Sequence, residues 1–228
     1  RMIEGLDAVL ADFHIVPHDI SIYEMAFTHA SYTNEHRDCP CYDRLEFLGD
    51  SILDMIVGDM VFHHYPNSNS GTLSRTRSAL VEGKTLTRLS ESVFGFSSLV
   101  RYSEGEKNNV ANHKHINEDV FESFIGAVYL DQGYEAARKI VVDVFTPLLD
   151  VALNLSKKRD SKGRLQELMN GVVINYVVVS QTNINREDCH FVVEARLGKD
   201  ILGRGEGHNI KEAEINAASD ALSKKVGK

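Results

Sequence analysis

Cysteine is scarce in this 228-residue chain, where Cys39, Cys41 and Cys189 are the only three. Three thiols cannot build a disulfide framework, so the chain is expected in a reducing compartment, the cytoplasm. Long apolar runs are missing too. No stretch approaches the roughly 20 residues that a membrane helix needs, and no basic-then-apolar leader opens the sequence, so no membrane partner is expected. Internal repeats and low-complexity tracts are also absent. With 43% hydrophobic and 25% charged residues the composition is that of a globular protein, which excludes disorder as the main state. The length suits two modest domains or one large one.

The net charge of −8 argues at first sight against a nucleic-acid partner. Its distribution weakens that objection. Residues 1–155 carry 12 Lys and Arg against 23 Asp and Glu, a net −11, whereas residues 156–228 carry 13 against 10, a net +3. An acidic part is therefore joined to a mildly basic one, and the two are suited to different partners. The sign changes at SKKRDSKG, which starts at Ser156 and has no large apolar residue. We read 1–155 as one domain, 156–162 as a linker and 163–228 as a second domain.

Before the linker the apolar spacing is helical. Ile3, Leu6, Val9, Leu10 and Phe13 follow the 3.6-residue period, as do Leu86, Leu89 and Val93, and Ala137, Ile140, Val141, Val144, Phe145 and Leu148. Pro66 and the NSNSG run at 67–71 interrupt two of these helices, and the domain is expected to be all-α. After the linker the pattern changes. A short helix over Gly163–Asn170 is followed by strands at Tyr176–Ser180, His190–Leu197 and Ile201 to Gly205, then by a helix from Ile210 to Lys225. The order α-β-β-β-α defines an α+β domain.

The segment Asp43-Arg44-Leu45-Glu46-Phe47-Leu48-Gly49-Asp50-Ser51-Ile52-Leu53-Asp54 is the most informative. On a helix, with Asp43 at 0°, Glu46 falls at about 300°, Asp50 at about 340° and Asp54 at about 20°. Leu45, Leu48, Ile52 and Ile56 cluster on the opposite side. A run of charge is usually a solvated face, but no Lys or Arg shares this stripe, and like charges at i,i+3 and i,i+4 oppose the helix. Phe47 also places a large ring on the acidic face, which suits an interface or a cleft. A second acidic pair, Asp119 and Glu122, opens another helix, with Gly126 on its side leaving room for close approach. Two such pairs facing each other would supply hard oxygen ligands for Mg²⁺ or Mn²⁺, and a cation would relieve their mutual repulsion.

RLEFLGDS at 44–51 resembles the central motif of the ribonuclease III family. Ala26-Phe27-Thr28-His29-Ala30-Ser31 is similar to the family's upstream helix. Leu73-Ser74-Arg75-Thr76-Arg77 with Leu80-Val81, and Asp119-Val120-Phe121-Glu122 followed by Ile125-Gly126, resemble the segments downstream. Arg164-Leu165-Gln166-Glu167 and the run from Gly203 to Glu214 resemble a double-stranded-RNA-binding domain. The layout is that of the bacterial form with one nuclease domain. The resemblance implies a homodimeric, Mg²⁺-dependent endonuclease, Mn²⁺ able to substitute, that cuts both strands of duplex RNA in rRNA and mRNA processing. It would leave 5′-phosphates, 3′-hydroxyls and short 3′ overhangs.

Carried over by position, the resemblance makes Glu46, Asp50, Asp119 and Glu122 metal ligands, with Asp50 and Glu122 catalytic and Glu122 the most critical. Phe47 matches a ring inserted into a pocket of the other subunit. Gln166, Asn170, His208 and Lys211 match RNA-contacting positions. Divalent ions can supply the attacking hydroxide and stabilise the attacking and leaving oxygens of a phosphodiester. No side chain need be the nucleophile, and the sequence offers no Ser/His/Asp or Cys/His constellation.

The chain departs from the family at several places. Asp43 stands where Glu is usual, one methylene shorter, and is assigned a supporting role. Ser70 replaces an acid. Asn209-Ile210-Lys211 replaces a Ser-Lys-Lys run, and Thr182–Cys189 lacks the usual Gly-Pro and His. Weaker duplex binding by the tail is expected, because each lost lysine removes about one phosphate contact. Cys39-Pro40-Cys41 is no structural zinc site, since four ligands are needed and Cys189 lies in the other domain. His63 and His64 read as a surface pair, His113 and His115 as part of a polar loop, and Tyr176 and Phe191 as sheet core. The rival readings are a non-catalytic RNA-binding or ribosome-associated protein of the same fold, and a dimerising scaffold binding structural Mg²⁺. Four retained carboxylates argue against the first.

Overall fold

A computed structural model describes residues 3–37, 39–107, 113–182 and 189–226. The chain divides into two compact units, Arg1–Ala152 and Leu153–Lys228.

The first unit is helical. Its elements are α1 (Leu6–Asp12), α2 (Ile20–Ala26), α3 (Ala30–Glu35), α4 (Asp43–His64), α5 (Ser70–Leu80), α6 (Gly83–Arg88), α7 (Glu104–Lys107), α8 (His113–Gln132) and α9 (Tyr134–Phe145). The starts of α2, α3 and α5 are capped by Asp19, His29 and Asn69, each accepting a hydrogen bond from a backbone N–H of the first turn. The long helices α4 and α8 form the centre. Leu45, Ile52, Leu53, Ile56, Val57 and Val61 are buried along α4, and Val120, Phe121, Phe124, Ile125, Ala127 and Val128 along α8. Phe13, Phe27, Phe94, Phe96, Phe121 and Phe124 pack around one another in tilted, edge-on and stacked pairs. The helical stretch expected around Leu86 to Val93 is α6 running into a π-helical turn at Leu89–Val93, and the wider turn leaves Val93 exposed.

The crossing of α4 and α8 depends on two glycines. A Cβ on Gly49 would strike the Glu122 carbonyl, and a Cβ on Gly126 would strike the Leu45 carbonyl. Each helix thus sets its backbone against the other at a residue without a side chain. The acidic positions one turn away on either helix are drawn together as a consequence.

Helix α10 (Leu149–Arg159) runs across the division between the units, and α11 (Ser161–Leu168) begins the next element. The stretch read as a linker, 156–162, is helical on both sides of Asp160. Lys and Arg are good helix formers, and no Pro or Gly interrupts the run before Gly163.

In the second unit β1 (Asn175–Thr182), β2 (His190–Leu197) and β3 (Asp200–Gly207) form an antiparallel sheet in that order. The sheet is flanked by α11 and α12 (Ile210–Val226). Leu165, Ile174, Val193, Ala195, Ala213, Ala217, Ala218, Ala221 and Leu222 make the core. Gly203 lies beneath Ala217 and Ala221, Gly205 beneath Ala213 and Ala217, and Gly207 beneath Ala213, where any side chain would meet helix backbone. Alanines on one element and glycines on the other let α12 lie flat on β3. Tyr176 and Phe191 pack against this core, as expected. The residues between the first two strands expected to lack Gly-Pro and His lie largely outside the described residues.

Candidate active site

Glu46 projects from the first turn of α4, and Asp119 and Glu122 project from α8. One oxygen from each lies within 4.8 Å of the other two. Three carboxylates from two helices therefore converge beside the Gly49–Gly126 crossing, with no Lys or Arg among them. The i,i+3 spacing of Asp119 and Glu122 sets both on the side of α8 that faces α4.

The electrostatics are those of unneutralised charge. Burial, reinforced by Asp50, Glu118, Glu46 and Asp119, pushes the Glu122 carboxyl up to about 8. Burial, then Asp119, Asp43 and Asp50, pushes Glu46 up to about 7. Asp119 is raised by burial, partly offset by the Tyr42 hydroxyl, which donates to its Oδ2 at 3.1 Å. Tyr42 is buried at the N-cap of α4, and its own proton is held more firmly than usual by burial and by the Asp119 charge. It can therefore hold the Asp119 carboxylate in one orientation.

Asp50 stands one turn on from Glu46, exposed, and does not join the three-oxygen group. Burial and the Asp54 charge raise its carboxyl, and its own charge in turn raises both Glu46 and Glu122. Asp43 is exposed at the start of α4 and acts on Glu46 through its charge.

Sequence reasoning overlooked two residues. Glu118 has a raised carboxyl from burial and from Asp119, and it contributes to the shift of Glu122. Its i,i+4 spacing from Glu122 repeats that of Glu46 and Asp50, and that spacing was the available signal. Tyr42 carried no signal, since its contact with Asp119 crosses from one helix to another. A correction concerns the histidines. Helix α8 begins at His113, so His115 is in a helical turn rather than a polar loop, with its Nδ1 at 4.0 Å from Glu118. The helix extends so far because Ile116 and Asn117 are buried against the unit, and the Asn117 amide donates to Glu91 at 2.6 Å.

Phe47 is 76% exposed on α4, and Met55 and Phe62, farther along the same face, are 54% and 63% exposed. The stripe has no cover within the unit.

In the second unit Gln166 is half-buried, and its amide donates to the Val172 carbonyl at 2.8 Å. Asn170 follows α11 with φ 54°, a left-handed conformation that Asn tolerates. The His208 N–H donates to Glu212 Oε2 at 3.0 Å, while Asn209 Oδ1 accepts from Glu212 N at 2.9 Å. Lys211 is exposed on the first turn of α12.

Fold and site together define a class, a helical unit with a carboxylate centre fit for a divalent cation, carried on the same chain as an α-β-β-β-α unit. A family model described as ribonuclease-III-like matches residues 19–148, and the double-stranded RNA binding motif matches residues 161–225. Ribonuclease 3 of Lactobacillus acidophilus is 38% identical over 225 residues, covering 96% of each chain. Ribonuclease 3 of Pediococcus pentosaceus is 38% identical over 230 residues, covering 97% of each. The nuclease domain of ribonuclease III from Campylobacter jejuni superposes with a TM-score of 0.55 at 32% identity, over 62% of this chain and 94% of that one. The chain belongs to the ribonuclease III family of endoribonucleases. Among the described residues no helix is long and apolar enough to cross a membrane.

Proposed function

We propose that this protein is a Mg²⁺-dependent endoribonuclease that hydrolyses phosphodiesters of double-stranded RNA. It leaves 5′-phosphate and 3′-hydroxyl ends with short 3′ overhangs, and it serves rRNA and mRNA processing in the cytoplasm. The observation that carries this reading is the convergence of Glu46, Asp119 and Glu122 on a chain that also bears a duplex-RNA-binding motif. The donor set fits a hard divalent cation, being all oxygen, with Glu46 and Glu122 pushed up by burial and then by the charge of their acidic neighbours.

Glu46, Asp119 and Glu122 hold the ion in this reading, Asp50 completes the set, and Mn²⁺ can substitute. When bound, the ion supplies Lewis-acid stabilisation of the charge that builds on the phosphate and lowers the pKa of the attacking water. The chain's own part is placement. The glycine crossing fixes the distance between the two acidic turns, Tyr42 orients Asp119, and Asp50 and Glu122 face the reacting phosphate. Asp43 supports Glu46 from the preceding turn. Gln166, Asn170, His208 and Lys211 contact the duplex.

The working unit is a homodimer. The exposed stripe of Phe47, Met55 and Phe62 is apolar, and two-fold pairing of α4 brings the Phe47 end of one copy to the Phe62 end of the other. A hollow of about 260 Å³ lined by Gly58, Val61, Phe62, Leu73 and Arg77 lies there and has room for a phenyl ring. Phe47→Ala is expected to shift the dimer to monomer in sedimentation, and an unchanged dimer would remove Phe47 from the interface.

The test is incubation with a long labelled RNA duplex in Mg²⁺, in Ca²⁺ and in chelator. Cleavage to 5′-phosphorylated fragments in Mg²⁺ alone is expected. Binding without cleavage under every metal would replace this reading with a non-catalytic RNA-binding protein of the same fold.

A further inference from the structure

The segment Ala26-Phe27-Thr28-His29-Ala30-Ser31 carries no carboxylate, yet Tyr42 is fastened to it at both its backbone and its ring. The Thr28 carbonyl accepts from the Tyr42 N–H at 2.9 Å. Thr28 is itself fully buried, and its hydroxyl donates to the Glu24 carbonyl at 2.6 Å. The Arg101 guanidinium donates to the same two groups, to Thr28 Oγ1 at 2.6 Å and to the Glu24 carbonyl at 3.1 Å. A bridge between Thr28 and Arg101 closes the arrangement. In it the His29 N–H donates to the Arg101 carbonyl at 3.1 Å, and the Arg101 N–H donates to the Phe27 carbonyl at 2.8 Å. Backbone tied at this many points gives the side chain of His29 a fixed origin.

The His29 ring is half-buried and tilted between two others, 5.8 Å from the Tyr42 ring and 5.9 Å from the Tyr102 ring. Its Nδ1 accepts from the Ser31 N–H at 3.2 Å as the cap of α3, and lies 2.8 Å from the Ser31 hydroxyl. The oxygen of that hydroxyl accepts from the Ser103 N–H at 3.1 Å, which leaves its proton to point at Nδ1. A nitrogen that accepts from an N–H carries no proton, so the neutral ring keeps its proton on Nε2. The ring cannot turn over without giving up both bonds to Ser31. Beyond it, the Tyr42 hydroxyl donates to Asp119 Oδ2 at 3.1 Å. Asp119 is raised by burial and drawn back by the Tyr42 bond, by His115 and by His29, so the ring stands within electrostatic reach of that carboxylate. Contacts therefore run from Ser103 at the start of α7 through Ser31, His29 and Tyr42 to Asp119 on α8.

We propose that His29 is a positioning residue of the carboxylate centre, its ring, tethered by Ser31, setting the angle at which Tyr42 presents its hydroxyl to Asp119. The proposal rests on the nuclease reading above, in which Asp119 holds a divalent cation, and it gives the 26–31 segment a part in binding that ion. A residue that only capped α3 would act on stability alone.

Two substitutions in the full chain separate these roles. His29→Asn keeps an oxygen that caps α3 and removes the ring, whereas His29→Phe keeps a ring beside Tyr42 and removes the cap. Metal affinity is read from free Mn²⁺ by electron paramagnetic resonance, stability from the melting midpoint in chelator, and turnover on a labelled duplex in Mg²⁺. His29→Asn is expected to melt like the wild type and to bind Mn²⁺ about tenfold more weakly. The Mg²⁺ concentration for half-maximal cleavage should rise by a similar factor, with KM for the duplex unchanged. His29→Phe is expected to melt lower and yet to bind Mn²⁺ more tightly than His29→Asn. Tyr42→Phe should weaken Mn²⁺ binding as His29→Asn does, and combining the two should add little, because the ring acts through that hydroxyl. An Asn variant that binds Mn²⁺ like the wild type would overturn the proposal, as would affinities that simply follow the melting midpoints. Additive losses in the double variant would also overturn it, by removing Tyr42 from the path. The nuclease reading fails on a different result, a wild type that binds Mn²⁺ and does not cleave duplex in Mg²⁺, and the affinities of the variants would still decide the part of His29. A wild type that binds no Mn²⁺ would overturn both.

Discussion

The two units use the same packing device for opposite ends. In the nuclease unit α4 and α8 meet at Gly49 and Gly126, and in the RNA-binding unit α12 meets β3 at Gly203, Gly205 and Gly207. At the second contact alanines fill the gap and the nearby charges are satisfied. Lys162 pairs with Glu214 and Arg196 with Glu194. Burial works against the Asp220 carboxylate, but Lys224 and the Arg204 N–H hold it below the ordinary value. At the first contact burial, and then the charge of the neighbouring acids, pushes Glu122 and Glu46 up instead. The same unit satisfies a structural acid fully: Asp131 accepts from the His18 and Asp19 N–H groups and from the Tyr23 hydroxyl, and it is lowered overall despite its burial. Acids that hold the fold together are bonded to donors. In the acidic cluster Asp119 has a donor in the Tyr42 hydroxyl, whereas Glu46 and Glu122 are left to burial and to the charge of the neighbouring acids.

The sharpest break of this contrast is Glu122→Ala. It removes the carboxylate with the largest upward shift and is expected to lower cleavage by more than about 10³-fold while leaving duplex binding and the dimer in place. Unchanged turnover, measured on a labelled duplex, would remove Glu122 from the site. Next comes a matched pair. Gly126→Ala and Gly205→Ala should each cost about 1–3 kcal/mol in denaturant melts, since both push a methyl group into backbone. They should part in activity. Spreading α4 from α8 is expected to reduce kcat by about 10²-fold, whereas the Gly205 variant should keep kcat and lose only duplex affinity. Equal effects on kcat would mean that the first crossing has no special bearing on chemistry. The smallest effect is expected of Asp43→Glu, which lengthens an exposed side chain. Stability should move by less than about 0.5 kcal/mol and turnover should persist.

Much of this was legible in the order of residues. The alternation His190–Leu197 is β2 to the residue, although Val192, Val193, Glu194 and Ala195 in succession bury both of its faces, and the apolar spacing from Ala137 to Phe145 is α9, whose apolar residues line its buried side. The stripe of Glu46 and Asp50 opposite Leu45 and Ile52 also follows from helical geometry alone. Three features did not. The run 156–162 lacks apolar residues, yet its lysines and arginine extend α10 rather than ending it. The start of α8 at His113 is set by burial of Ile116 and Asn117 against distant segments, which no local period contains. Tyr42 reaches Asp119 across 77 positions, a contact that only the folded crossing creates.

The central claim is that Glu46, Asp119 and Glu122 form a proton-loaded site that a divalent cation relieves. The direct measurement is the melting midpoint from pH 4.5 to 9 in chelator and in Mg²⁺, for the wild type and for Glu46→Gln/Glu122→Gln. Carboxyls raised in the fold to about 7 and about 8 bind protons more tightly than in the unfolded chain. Their stabilising contribution is thus complete below the unfolded value and is lost as pH rises through 7 and 8. The account predicts that the wild-type midpoint falls relative to the variant over that window in chelator, and that Mg²⁺ restores it increasingly toward pH 8. A wild type that tracks the variant at every pH, with no Mg²⁺ effect distinguishing them, would contradict it.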